Sequence, residues 1–131
     1  MKPKLGQVIT GSRVFTQADF DKFAVLSGDD NPIHVDPEFA ARSRFGATVA
    51  HGMLLYGILC GVIRQHFPDS AQIDQRMMFT APTFAGEEVN IRCEVVEIDP
   101  NSNQFKLDIH MVAAGGKIVC DGDSTLRWRP S

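Results

Sequence analysis

The feature that most restricts what this chain can fold into is a change of period near its middle. Met53, Leu54, Leu55, Tyr56, Ile58, Leu59, Val62 and Ile63 leave almost no polar side on a helix. Polar residues arrive only at Arg64, Gln65 and His66, and Pro68 marks the stop. A helix from Gly52 to about Phe67, roughly four turns long at about 3.6 residues each, is therefore expected to be enclosed by the rest of the fold. Gly57 and Gly61 interrupt its apolar run, which falls short of the roughly 20 residues a membrane span needs.

Beyond Ser70 the period drops to two. Val89, Ile91, Cys93 and Val95 alternate with Asn90, Arg92 and Glu94 between Glu88 and Ile98. Phe105, Leu107, Ile109 and Met111 alternate in the same way with Lys106, Asp108 and His110. Both runs read as half-buried antiparallel strands. Pro100-Asn101-Ser102-Asn103 turns between them, and Gly115-Gly116 turns into a last strand, Lys117 to Trp128. Gln72 to Thr80 is a further strand, and Arg13 to Phe15 adds an edge. The class implied is α+β, a curved antiparallel sheet wrapped around a long central helix.

Ahead of that helix, Thr16-Gln17-Ala18-Asp19 resembles a capping box with Asp in place of Glu, followed by Phe20, Phe23, Ala24 and Ser27 at helical spacing. Gly28 supplies the stop. Asp36-Pro37-Glu38 opens a short helix through about Ser43. Between these two helices, Gly28 to Val35 is predicted to be a loop. No repeat or linker divides residues 1–131, which are read as one domain.

Composition removes several classes of function. An apolar fraction of 44% with 22% charged residues suits a soluble globular domain. Thirteen Lys and Arg against sixteen Asp and Glu leave a net charge of -3, with no basic excess for nucleic acid. The three cysteines, Cys60, Cys93 and Cys120, are odd in number and far apart. They suggest neither a disulfide framework nor a zinc ribbon, and fit a reducing compartment. No apolar run follows Lys2 and Lys4, so no secretory signal is read and the cytoplasm is expected.

Two segments depart from plain scaffold: Ser27-Gly28-Asp29-Asp30-Asn31-Pro32-Ile33-His34, and Ala50-His51-Gly52-Met53 at the start of the apolar helix. The first is open to reading as a mere turn, in which Asp29 or Asn31 accepts backbone hydrogen bonds. His34 weighs against that, because a turn needs no imidazole, whereas a group titrating near neutrality beside a carboxylate suits acid/base work. In the second, His51 reads equally as a helix cap and Gly52 as a residue that permits tight packing. A helix N-terminus nevertheless offers unpaired N–H groups to a developing oxyanion. Gly52, Tyr56 and Cys60 share one helix face, while Met53, Gly57 and Gly61 form the adjacent row. One row is placed to line a tunnel and the other to pack closely.

Taken together, these residues resemble the MaoC-type (R)-specific enoyl-CoA hydratases of the hotdog fold. The resemblance rests on Phe23-Ala24-x-x-Ser27-Gly28-Asp29-x-Asn31-Pro32-Ile33-His34-x-Asp36, Phe39-Ala40, Phe45-Gly46, Val49-Ala50-His51-Gly52-Met53 and the later Phe84-x-Gly86-Glu87. It implies that Asp29 and His34 are the catalytic pair, activating a water that adds across the 2,3 double bond of a trans-enoyl thioester. It implies further that the Gly52 N–H binds the thioester carbonyl, that Asn31 and Pro32 shape the loop, and that His51 is structural. Substrate contacts are expected from Gly52, Asn31, Tyr56 and Cys60. Cys60 stands where relatives often carry Ser, and Tyr56 is bulky for its place, narrowing the tunnel. No metal or cofactor is implied, and a zinc site from His34, His51 and Asp36 lacks the usual tight spacing. The expected partners are an acyl-CoA thioester and a second copy of the chain, with no nucleic acid and no membrane.

Two other classes compete. One is a catalytically silent hotdog subunit that binds acyl chains or completes a heterodimer. The other is a hotdog thioesterase or carrier-protein dehydratase, in which the acid commonly sits on the central helix; here Met53 to Phe67 contains no Asp or Glu.

Overall fold

The computed structural model describes residues 2–130. Strand β1 (Val8–Val14) leads into helix α1 (Gln17–Ser27), followed by two short helices, α2 (Pro32–Val35) and α3 (Pro37–Ala41). The long helix α4 (Gly52–His66) comes next, then strands β2 (Ser70–Met78), β3 (Glu88–Asp99), β4 (Gln104–Ala113) and β5 (Lys117–Trp128). The strands form one antiparallel sheet in the order β1-β3-β4-β5-β2.

The local signals act as their chemistry requires. Thr16 accepts from the Asp19 N–H at 3.2 Å, and the Asp19 carboxylate accepts from the Thr16 N–H at 2.9 Å, so the capping box is reciprocal. The bond from the Thr16 backbone is the main reason that Asp19 is held below the usual carboxylate range. Gly28 ends α1 with φ of 82° and an N–H donated to Ala24 O, a left-handed cap that a side chain would strain. Gly28 to Val35 is not all loop. Asn31 caps the Ile33 N–H and Pro32 takes the first helical position, so Pro32–Val35 closes into a helical turn. The helix opened by Asp36 ends at Ala41, two residues before the expected Ser43.

Strand β1 is seven residues long and pairs with β3 from Val8↔Glu94 to Val14↔Glu88, well beyond the expected Arg13–Phe15. Only Ile9 is buried along it, so its sequence carries no alternation to read. In the interior strands the alternation is clean. Val89, Ile91, Cys93 and Val95 of β3 and Phe105, Leu107, Ile109, Met111 and Ala113 of β4 all point inward. Against them α4 lays Leu55, Leu59 and Ile63, and an aromatic cluster of Phe67, Phe105 and Trp128 closes the lower end. Burial pushes the thiols of Cys93 and Cys120 up to about 12 and about 11, so both are inert core residues at neutral pH.

The chain's own sheet covers one stripe of α4 and not its whole circumference. Met53 is 59% exposed, and the positions where Gly57 and Gly61 would carry a Cβ have no neighbour within 4 Å. The expected enclosure is thus completed on one face only within a single chain.

The turn before β3 explains the Phe84-x-Gly86-Glu87 motif. Glu87 accepts from the Phe84 N–H and from Lys117 Nζ, both at 2.8 Å. Burial raises its pKa, but the bonds from Lys117 and Phe84 overrule burial and leave it below the ordinary 4.5. A depressed folded value means that the stabilisation is complete above pH 4.5 and lost as the pH falls through the folded value. Glu87→Gln is therefore expected to lower the melting temperature at pH 7, the gap from wild type closing in thermal melts as the pH is brought down below 4.5 and through the depressed folded value. A gap that stays constant with pH would show that the charge is not responsible.

Candidate active site

Asp29 follows the glycine that ends α1, and its side chain is 55% exposed. Its N–H donates to Ser27 Oγ at 3.1 Å, and Ser27 in turn donates to Phe23 O at 2.7 Å. His34 lies on α2, turned back toward Asp29, and is much less exposed. Its Nδ1 is 2.8 Å from Val49 O; a carbonyl only accepts, so Nδ1 carries a proton, and in the neutral ring it is Nε2 that keeps a free lone pair. That Nε2 stands 3.9 Å from Asp29 Oδ2. The separation is too long for a direct hydrogen bond and suits two acceptors that share one water.

The imidazole of His34 is held from several sides. Gln17 donates to the His34 carbonyl at 2.8 Å while accepting from Thr48 Oγ1 at 2.5 Å. Val49 N–H donates to Ile33 O at 3.1 Å. His51, buried at 2% exposure, stacks on the His34 ring with centroids 3.8 Å apart and planes 23° apart. Its Nε2 donates to the main-chain carbonyl of Asp29 at 2.9 Å, and the edge of Phe23 abuts its ring. His51 occupies the cap position of α4 by backbone only, with no side-chain bond to the helix, so the cap reading of its imidazole is wrong.

The titratable cluster is therefore Asp29, His34 and His51; Asp36 is spent on the Glu38 and Phe39 N–H groups of α3. The cluster's ligand atoms all lie within 4.8 Å of one another, and His34 Nδ1 and His51 Nε2 are each engaged with a main-chain carbonyl, of Val49 and Asp29 respectively.

Gly52 follows His51 directly, and neither its N–H nor that of Met53 has a partner among the described residues. Both are first-turn donors of a 15-residue helix and carry its positive end. A cavity of about 250 Å³ opens here, bordered by Gly52, Leu55, Phe79 and Thr83. The first demand for glycine comes from Phe79: a Cβ at position 52 would stand 2.8 Å from two of its ring carbons. Asn31 Oδ1 is occupied by the Ile33 N–H, which leaves only its Nδ2 for a ligand.

Tyr56 and Cys60 lie about 6 and 12 Å further along the helix axis than Gly52. They form a group of their own: Tyr56 donates to Gln72 Oε1 at 3.1 Å, and Gln72 Nε2 donates to Cys60 Sγ at 3.5 Å. Burial first, and the neighbouring Cys60 after it, push the Tyr56 hydroxyl up to about 12. Gln72 is aimed at the helix from the last paired position before a bulge in β2.

The Gly52–Phe79 contact is testable by a double-mutant cycle. Gly52→Ala is expected to cost about 1–3 kcal/mol through overpacking. In a Phe79→Ala background most of that cost should vanish, giving a coupling of at least about 1 kcal/mol in denaturant melts. Additive effects would mean that the ring moves aside freely.

Known proteins share the architecture that carries this cluster. The MaoC like domain matches residues 2–115. An (R)-specific enoyl-CoA hydratase of Aeromonas caviae is 32% identical over 95% of this chain and 94% of its own length. A mitochondrial 3-hydroxyacyl-[acyl-carrier-protein] dehydratase of Arabidopsis thaliana is 31% identical over 93% of this chain and 75% of its own. Among solved structures, the (R)-hydratase of A. caviae superposes with a TM-score of 0.92, covering 97% of this chain and 98% of that one at 32% identity. An unliganded R-hydratase from Pseudomonas aeruginosa also reaches 0.92, at 28% identity over 98% of this chain and 84% of that one. A sheet of this order laid on one long helix, a family match over most of the length and superpositions this close have one meaning: the chain belongs to the MaoC-like domain family and has the hotdog fold.

Proposed function

We propose that this chain is a hydro-lyase that reversibly hydrates trans-2-enoyl-CoA to (R)-3-hydroxyacyl-CoA. The observation that carries the reading is the 3.9 Å gap between Asp29 Oδ2 and the unprotonated Nε2 of His34, near the unpaired N–H groups that open α4. Hydratase and dehydratase names among the relatives support the reaction class, and the (R) configuration rests on those names alone.

Water is a poor nucleophile, so its proton must be taken as its oxygen attacks C3. Asp29 Oδ2 and His34 Nε2 each accept one O–H of the shared water, fixing the oxygen lone pair toward the substrate. As the O–C3 bond forms, the pair takes one proton and charge moves to the thioester oxygen, where the Gly52 N–H stabilises it. The enolate then collapses and C2 takes the proton back, so one H and one OH have been added. Dehydration runs the same steps in reverse.

We further propose that residues 1–131 act as one domain in a cytoplasmic homodimer. The three unpaired cysteines support a reducing compartment. The unpaired edge of β2 and the open face of α4 support a second copy. Light scattering at micromolar concentration is expected to give twice the chain mass; monomer alone would remove the dimer.

Crotonyl-CoA hydration, followed by loss of enoyl-thioester absorbance, tests the activity. Asp29→Asn and His34→Gln should each lower kcat/KM by at least about a hundredfold without unfolding the protein. The double variant should be little worse than the worse single one, because both side chains handle one water. Near-wild-type rates in folded single variants would take both residues out of the chemistry, and a wild type inactive on short, long and branched enoyl-CoAs would favour a silent acyl-binding subunit.

A further inference from the structure

We infer that His51 is the positioning residue of the water-activating pair, holding Asp29 through its Nε2–H and backing His34 with its ring face. The inference rests on the proposed hydration and concerns a side chain that takes no direct part in it.

The argument begins with how weakly Asp29 is otherwise held. From Gly28 to Asn31 every other hydrogen bond among the described residues is local: Gly28 to Ala24, Asp29 to Ser27, Asp30 to Gly28, Asn31 to Asp29 at 3.4 Å, and Ile33 and His34 to Asn31. The bond from His51 Nε2 to Asp29 O spans 22 residues and is the one that ties this stretch to a different part of the fold. His34 is fixed independently, through Val49 O and Gln17. One imidazole is therefore bonded to one member of the pair and stacked on the other, so its ring sets the spacing that a shared water must fit.

The second strand of the argument is the cost of using histidine here. His51 Nδ1 is buried and has no partner among the described residues. A buried ring nitrogen left unpaired is unfavourable, and a Phe or Leu would fill this volume without that penalty. Packing alone gives no reason for an imidazole at this place; the bond at Nε2 does. Because the Asp29 carbonyl only accepts, Nε2 is the ring nitrogen that must carry a proton, and the role asked of His51 needs that one N–H alone.

Two substitutions separate the ring from the donor. His51→Phe keeps an aromatic platform and removes the N–H, whereas His51→Gln discards the ring but places an amide N–H at similar reach. His51→Phe is expected to lower kcat on crotonyl-CoA by about tenfold to a hundredfold while KM changes little, since misplacement by about 1 Å costs that much. His51→Gln should restore kcat to within about fivefold of wild type. A second readout does not depend on turnover: in hydrogen exchange, the amides of residues 28–34 should lose protection in His51→Phe and regain it in His51→Gln. Wild-type kcat and protection in His51→Phe would overturn the inference. So would equal losses in both variants that follow only the drop in melting temperature. A wild type without hydratase activity would count against the proposed function, and the exchange comparison would still decide the role of His51.

Discussion

Both main-chain polar groups of Val49 are spent on the segment that carries His34. Its N–H goes to Ile33 O and its carbonyl receives the His34 Nδ1 proton. One residue further on, Ala50 N–H bonds Thr83 O, and Val49 bridges Phe84. A short extended stretch just before α4 thus joins three pieces of chain that are remote in sequence: the segment that carries Asp29 and His34, the helix whose first N–H groups have no partner among the described residues, and the turn before β3. Shift this stretch and the tautomer of His34, the direction of its lone pair and its distance from Gly52 all change together. The geometry of the site is a property of backbone pairing first and of reactive side chains second.

How much of this could be read in advance depended on whether a contact was local. The capping box at Thr16, the alternation of β3 and β4 and the final strand from Lys117 to Trp128 were legible because each is decided within a few residues. Strand β1 was not, since an edge strand with one buried side chain has no period to show. The turn of α2 was missed although its signal, Asn before Pro at a helix start, was present. Asp29 and His34 could be singled out by residue type, because a carboxylate and an imidazole in a turn have chemistry to offer. Gln17 and Thr48 could not. Their bonds reach across 17 and 31 residues, and a Gln on the first turn of a helix otherwise reads as a solvated surface residue. Phe79 was hidden for the same reason: nothing near it in sequence says that its ring will lie on Gly52.

The site also shows where polar burial is tolerated. Thr48, His51 and Thr83 are buried near the start of α4, in a region otherwise made of apolar packing. Each brings a desolvation cost that only a hydrogen bond can offset. Thr48 and His51 make theirs to Gln17 and to the Asp29 carbonyl. The core beneath the sheet is assembled differently, from Leu, Ile, Val, Phe and two neutral thiols, with Ser124 its exception. The apolar packing beneath the sheet and the polar cluster around His34 are thus largely drawn from separate parts of the chain.

The uncovered face of α4 carries a thermodynamic consequence. Along that face Gly57 and Gly61 present bare backbone, so a surface laid there can come as near as main-chain atoms allow. Any surface that binds the folded chain and not the unfolded one adds a term that grows with the logarithm of its concentration. With the proposed second copy on that face, the free energy of unfolding would cease to be a constant of the sequence, and the amount of protein in the tube would become one of the variables that decide how well a helix half clothed by its own chain stays folded.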